Sequence, residues 1–349
     1  MVLPPPNPFV PSPTEEAPPL PATPRVPLSA LDLVPLSEGR STADALREAL
    51  DLARRLDTSG YRRLWYAEHH NTEAFASSAT AVLVGQALAA TERLSVGSGG
   101  IMLPNHVPLT VAEAFGTLAN LYPGRVELGL GRAPGTDMRT ALELRRGHAG
   151  HDTFEADVRR LVRLFGGQEQ EVVRAPVARH TDVPLWILGS STGGAEVAAR
   201  LGLPYAFASH FAPARIMDAI ALYRQRFDAQ APTATVERPH VMVAANILAA
   251  DTDEEARRQF STHQLLVRGI ARNDRRPLQP PVERVELTAA EAGMVQEHLA
   301  VSAVGTPERV VADLEQIVEL TRADELMLNS YAHDPEVRAR SYELVAHAW

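Results

Sequence analysis

From Pro27 onward the chain alternates short apolar runs with amphipathic stretches, and it does so eight times. The strand-like runs are Leu28–Val34, Arg63–Ala67, Leu94–Ser98, Val126–Leu130, Pro184–Leu188, Tyr205–Ala208, His240–Leu248 and Glu325–Asn329. Helical spacing fills the intervals. Over Ser41–Leu56, for example, Ala45, Leu46, Ala49, Leu50, Ala53 and Leu56 share one face, and Gly60 follows as a stop signal. Further helices are expected over Ser78–Thr91, Leu109–Leu121, Asp152–Phe165, Ala195–Leu201, Pro213–Phe227, Glu254–Arg268, Pro307–Leu320 and Tyr331–Trp349. Eight parallel strands with helical crossovers favour an α/β fold in the form of a single (β/α)8 TIM barrel with insertions. A doubly wound open sheet with an added helical domain is the alternative.

Two insertions interrupt the alternation, about residues 131–183 and 269–304. The second carries Arg272-Asn-Asp-Arg-Arg-Pro-Leu-Gln-Pro-Pro281, polar and rich in chain breakers, which fits a mobile lid over the barrel mouth. Residues 1–26 hold ten prolines and read as a disordered, Pro-rich tail preceding a barrel domain over residues 27–349. The tail lacks the basic start and apolar core of a secretory signal, and no run of about 18 apolar residues follows. A cytoplasmic protein without a membrane partner is therefore expected. The net charge of −9 argues against nucleic acid as a partner.

Two residue types are missing. There is no cysteine, which removes thiol nucleophiles, thiolate zinc sites and cysteine-held iron–sulfur clusters. There is also no lysine: all 34 basic residues are arginine, so Schiff-base chemistry and a Walker A loop are excluded.

The remaining chemistry gathers at the carboxyl ends of successive strands, where an α/β barrel builds its active site. Strand two runs into Glu68-His69-His70. Neighbouring side chains on extended chain point apart, so the two histidines should not share a metal, and no metal site is expected. Whichever of them faces the barrel mouth is suited to acid–base work near neutral pH, or simply to satisfying a loop or a buried carboxylate. Strand three runs into Gly99-Gly100, where a flat ligand can approach the main chain or the chain can merely turn. Strand four runs into Arg132-Ala-Pro134. Gly189-Ser190-Ser191-Thr-Gly-Gly194 then leads into a helix N-terminus that suits an anion. Arg132 with that turn would make a phosphate clamp, and an ordinary Ser or Thr helix cap is the alternative, compatible with it. A nicotinamide Rossmann site is rejected, because the glycine spacing does not match and strand one has no fingerprint.

These motifs resemble the bacterial luciferase-like flavin monooxygenase family. The likeness lies in Trp65-Tyr-Ala-Glu-His-His70, Val96-Gly-Ser-Gly-Gly-Ile-Met-Leu-Pro104 and Gly124-Arg-Val-Glu-Leu-Gly-Leu-Gly-Arg132. It continues at Ser191–Ala199, Gly202-Leu-Pro204 and Val304-Gly-Thr-Pro307, spanning about residues 28–345. The resemblance implies a (β/α)8 barrel that binds reduced, exchangeable FMN at its carboxyl mouth. A non-prolyl cis peptide at Gly99–Gly100 would support the ring. Arg132, Ser191, Ser190, Gly189 and Gly194 would surround the phosphate, with Glu68 and Pro134 also at the cofactor, and His69 would be the catalytic base. Ser190 and Gly194 stand where the luciferase has a glutamate and a threonine. Gly131 replaces its reactive cysteine, so light emission does not follow.

The activity implied is a two-component monooxygenase. A separate flavin reductase would supply reduced FMN, O2 would give a C4a-peroxyflavin, and a small organic substrate would be oxidised. Hydride transfer with deazaflavin F420 is an alternative on the same platform, as is a non-catalytic flavin-binding barrel. The resemblance also suggests a homodimer.

Overall fold

The computed structural model describes residues 25–349 apart from Pro134, 146–152, 167–171 and Arg275. Nine parallel strands form one sheet: β1 (Leu28–Asp32), β2 (Arg63–Tyr66), β3 (Ser95–Met102), β4 (Val126–Gly131), β5 (Leu185–Gly189), β6 (Tyr205–Phe207), β7 (Val241–Ala249), β8 (Ser302–Gly305) and β9 (Glu325–Asn329). β1 to β7 pair in chain order, β7 pairs with β9, and β9 returns to β1, so eight strands close the expected barrel.

β8 was hidden within the second insertion. Residues Met242–Asn246 of β7 pair with β9, Asn246 also pairs with β8, and residues 247–249 run past the end of β9 and pair with β8 alone. A four-residue strand containing Ser and Gly carries too little apolar signal to be seen in sequence.

Eleven α-helices accompany the strands among the described residues. α1 (Thr42–Thr58), α2 (Thr80–Ala90), α3 (Pro108–Leu121), α6 (Thr192–Leu201), α7 (Ile216–Arg226), α10 (Pro307–Thr321) and α11 (Pro335–Ala348) form the outer layer together with α5 (Phe154–Gly166). α4 (Met138–Arg145), α8 (Asp253–Ala271) and α9 (Ala289–His298) lie among the longer connections. Local chemistry sets several ends. Ser41 caps α1 through a reciprocal pairing with Asp44, and Gly202 ends α6 in the left-handed conformation at φ 63°. The last helix starts at Pro335, not Tyr331, which frees Tyr331 for the barrel mouth.

Alternation along each strand divides the core in two. Leu64 and Tyr66 of β2, Val243 and Ala245 of β7, and Leu326 and Leu328 of β9 face the helices. Trp65, Met242, Ala244 and Met327 fill the barrel itself, with Trp65 edge-on to Trp186 at 5.3 Å. At the amino ends of the strands the interior is charged. Arg63 bridges Glu127 at 3.3 Å and Glu325 at 3.1 Å, and its guanidinium lies 4.9 Å from the Trp186 ring centroid. Ser29 donates to Glu325 and Trp65 Nε1 donates to Glu127 at 2.9 Å, so the buried charges are gripped from several sides.

Two expectations about the ends and insertions need adjustment. Arg25 and Val26, placed in the tail by composition, are tied to the other terminus: Trp349 Nε1 donates to the Val26 carbonyl at 2.8 Å, and Arg25 pairs with Glu315 at 2.9 Å. The lid-like stretch is also anchored. Leu278 is buried, donates to Leu36 O at 2.7 Å and accepts from Glu38 N at 2.8 Å, so the described part is fixed to the loop after β1. The rest of the proline-rich tail, residues 1–24, lies outside the described residues.

Candidate active site

The carboxyl ends of the strands open into one cavity of about 890 Å³. His69 reaches it from the end of β2, Gly99 from β3 and Arg132 from the end of β4. Gly189, Ser190, Ser191 and Gly194 come from the turn between β5 and α6. The fold therefore brings most of the sequence-derived candidates to one surface.

β3 runs straight through the glycine doublet where a shorter strand was expected, and its register against β4 shifts between Ser98 and Ile101. The Gly99–Gly100 peptide is cis. Neither position has room for a side chain. A Cβ on Gly99 would stand 2.7 Å from Leu31 Cδ1 and 2.8 Å from Trp65 Cβ, and one on Gly100 would stand 2.7 Å from the Gly129 carbonyl oxygen. Gly99 thus gives the cavity a wall of bare backbone, while Gly100 lies behind it against β4.

Further round the rim, after β4 and β5, backbone donors and a guanidinium converge. Ser191 is the N-cap of α6 but makes no side-chain cap bond, so the donors of the first turn are left for another acceptor. A Cβ on Gly193 would lie 3.3 Å from Arg132 Nη2, which places the guanidinium directly over that turn. Arg132 is exposed and has no carboxylate partner among the described residues. Gly189 and Gly194 also meet closely, a Cβ on either coming within 3.3 Å of the other's Cα.

Glu68 takes a different place from the one expected. It is buried and does not line the cavity. Its carboxylate sits behind the wall, accepting from His70 Nε2 at 2.8 Å, from His106 Nε2 at 2.9 Å and from the Met102 amide at 3.0 Å. Burial alone would raise this carboxyl, but the bonds from His106, His70 and Met102 overcome it and hold Glu68 at about 2. Glu68 is consequently a fixed anion that orients His70 on the cavity wall and ties β2 to the end of β3. Pro134 lies outside the described residues.

The mouth also contains residues that local sequence did not mark. His210, three residues beyond β6, lines the cavity; burial, aided by the nearby His69, pushes its imidazole down to about 3. His263 in α8 is fully buried, also lowered to about 3 by burial, and accepts from the Tyr331 amide at 3.0 Å. The position of His210 just past a strand end was a usable signal, the same one that marked His69. His263 sits mid-helix in a charged segment and had none. Among the described residues no group of three or more His, Asp or Glu side chains is arranged to hold a metal ion. None of the described helices is long and apolar enough to cross a membrane.

The fold and mouth together define a (β/α)8 barrel whose cavity joins a side-chain-free backbone wall to an uncapped helix N-terminus topped by an arginine. Residues 28–324 match the family described as luciferase-like monooxygenase, and the chain belongs to that family. YvbT of Bacillus subtilis is 46% identical over 92% of this chain and 96% of its own length. A luciferase-like monooxygenase of Escherichia coli strain K12 is 45% identical over 90% and 95%. The crystal structure of apo-MsnO8 matches with a TM-score of 0.84 at 33% identity, covering 93% of this chain and 98% of that one.

More distant structures share the fold. The oxygenating constituent of a Pseudomonas putida 3,6-diketocamphane monooxygenase, solved with FMN, matches at TM-score 0.68 and 17% identity over 92% of this chain and 97% of that one. An F420-dependent secondary alcohol dehydrogenase holding an F420–acetone adduct matches at 0.63 and 14% over 93% and 98%.

Proposed function

We propose that this protein is an FMN-dependent monooxygenase that takes reduced FMN from a separate reductase and uses O2 to oxidise a small organic substrate. The observation that carries this reading is the pairing of Arg132 with the uncapped first turn of α6, in the same cavity as the bare backbone at Gly99 and after the strands next along the barrel from β3. The donors fit a phosphate: a bidentate cation stands above unpaired N–H groups, and Ser190 and Ser191 flank the turn. The cavity is large enough for a flavin and a further small molecule.

Arg132, Ser190, Ser191 and the amides of Gly193 and Gly194 would hold the phosphate, and Gly99 would let the ring lie against the main chain. When bound and reduced, the flavin supplies the activation of O2. The remaining work falls to this chain. Leu31, Trp65, Met242 and Met327 line or underlie the cavity and exclude water from it. His69, on the wall, carries the proton at the substrate oxygen. Glu68 keeps His70 fixed beside it. Homology to monooxygenases and the presence of both FMN- and F420-binding proteins among the structural relatives support the cofactor class.

Anaerobic titration with photoreduced FMN and, separately, with F420 tests the reading. Tight binding of reduced FMN and not F420, followed by reoxidation in air slower than that of free flavin, is expected. Preference for F420 gives the hydride-transfer alternative. Binding without any slowing of reoxidation removes the monooxygenase assignment. In His69→Ala, reduced FMN should still bind while turnover falls by roughly 10²-fold or more.

A further inference from the structure

The cavity has two unlike halves. Arg132 is the only Arg, Asp or Glu among its described lining residues, and it stands on the side of β4 and β5. Round the other side, past β6, β7 and β9 to β2, the wall is built from His210, Asn246, His263, Tyr331, Phe75 and His69. The rings form a continuous arc: His263 to Tyr331 at 5.3 Å, Tyr331 to Phe75 at 5.7 Å and Phe75 to His69 at 5.4 Å. Met242, Ala244 and Met327 close the floor.

The polar atoms in this arc are specific. His263 Nε2 accepts from the Tyr331 amide, so a neutral ring must carry its proton on Nδ1, and that N–H has no acceptor among the described residues. His210 is 7% exposed, and its Nδ1 has no hydrogen-bond partner among the described residues. Asn246 is not available for a ligand in the same way, because its amide already donates to His210 O at 2.7 Å and its oxygen accepts from Asn329 at 3.2 Å. His263 is fully buried, so of the two imidazoles it is His210, on a wall without carboxylates or arginines, that is left to be satisfied from the cavity.

We propose that this half of the cavity is a subsite for an uncharged, mainly apolar substrate whose hydrogen-bond acceptor is received by His210, and that the subsite rejects anionic substrates. Burial holds both imidazoles neutral, so neither offers a positive charge to a carboxylate or sulfonate. An anion buried there would lose its hydration with no cation to replace it. The inference rests on the flavin reading in one respect: the cofactor phosphate would occupy Arg132, the one arginine among the described lining residues, which could otherwise draw an anionic substrate.

A pair of probes of matched shape tests this, the ketone 4-phenylbutan-2-one and the acid 3-phenylpropanoate, titrated calorimetrically into the full chain with and without saturating reduced FMN under anaerobic conditions. With the cofactor present, the ketone should bind at least about tenfold more tightly than the carboxylate. His210→Leu should weaken the ketone by up to about tenfold, the range of one neutral hydrogen bond, while His210→Gln restores most of it. Reduced-FMN affinity should stay within about twofold in both variants, as expected for a separate site. Equal binding of ketone and carboxylate in the loaded protein, or an unchanged ketone affinity in a folded His210→Leu, would overturn the subsite. If reduced FMN fails to bind but the ketone still binds and weakens in His210→Leu, the flavin reading falls and the neutral subsite stands.

Discussion

His106 Nε2 lies 2.9 Å from each carboxylate oxygen of Glu68, so one side chain from the loop after β3 clasps the buried anion that ends β2. The loop contributes again through the Met102 amide and Asn105. The backbone wall at Gly99 is therefore anchored from its carboxyl side by a charge belonging to a different strand.

That clasp makes stability depend on pH in a defined direction. Glu68 is held at about 2, below its value of about 4.3 in an unfolded chain. The stabilisation, about 3 kcal/mol, is fully present above the unfolded value and disappears as pH falls through the folded one. Glu68→Gln should flatten the loss of stability between about pH 4.5 and pH 2 while lowering stability at pH 7. Urea unfolding at several pH values checks it; parallel curves for the two proteins would dissociate Glu68 from the effect.

Arg132→Ala should weaken reduced FMN by about 1.5–3 kcal/mol, the worth of hydrogen bonds to a charged group. Reduced riboflavin, which lacks the phosphate, should bind the variant and the parent alike. Anaerobic titration with both flavins is the measurement, and an equal loss for both would move Arg132 away from the phosphate.

Gly99→Ala places a methyl 2.7 Å from Leu31 Cδ1 and 2.8 Å from Trp65 Cβ. Leu31 can turn aside but Trp65 Cβ cannot, so a cost of about 1–3 kcal/mol is expected, typical of overpacking. Denaturant midpoints give the answer directly. A variant as stable as the parent would mean that the wall yields more readily than its contacts indicate.

Arg63→Met should cost about 3–5 kcal/mol, because Glu127 and Glu325 would be left buried without their shared cation. Burial already raises the Glu127 carboxyl despite Arg63, so removing the arginine should raise it further and make the variant comparatively less impaired in mild acid. Thermal unfolding at pH 5 and pH 8 tests both the size and the sign.

Strand–helix alternation made the barrel readable without coordinates, because every buried parallel strand is a short apolar run and every crossover helix shows one apolar face. One side of the cavity mouth was readable for a related reason. Its parts sit next to strand ends: His69 after β2, Gly99 within β3, Arg132 after β4 and the Ser190–Gly194 turn after β5. Glu68 shows the limit of that logic. The resemblance placed it at the cofactor, yet its carboxylate lies behind the wall, held by hydrogen bonds from His70 and His106.

The sequence by itself determined the closed eight-strand barrel, the family and which strand ends meet at the mouth, since periodicity and strand-end motifs are local properties of the chain. Only the tertiary structure decided the other half of the mouth. His263 comes from the middle of α8, His210 from beyond β6 and Tyr331 from beyond β9, and their meeting depends on how the barrel closes and how α8 packs over its rim. Their altered protonation is likewise a consequence of burial, which no spacing of residues along the chain encodes.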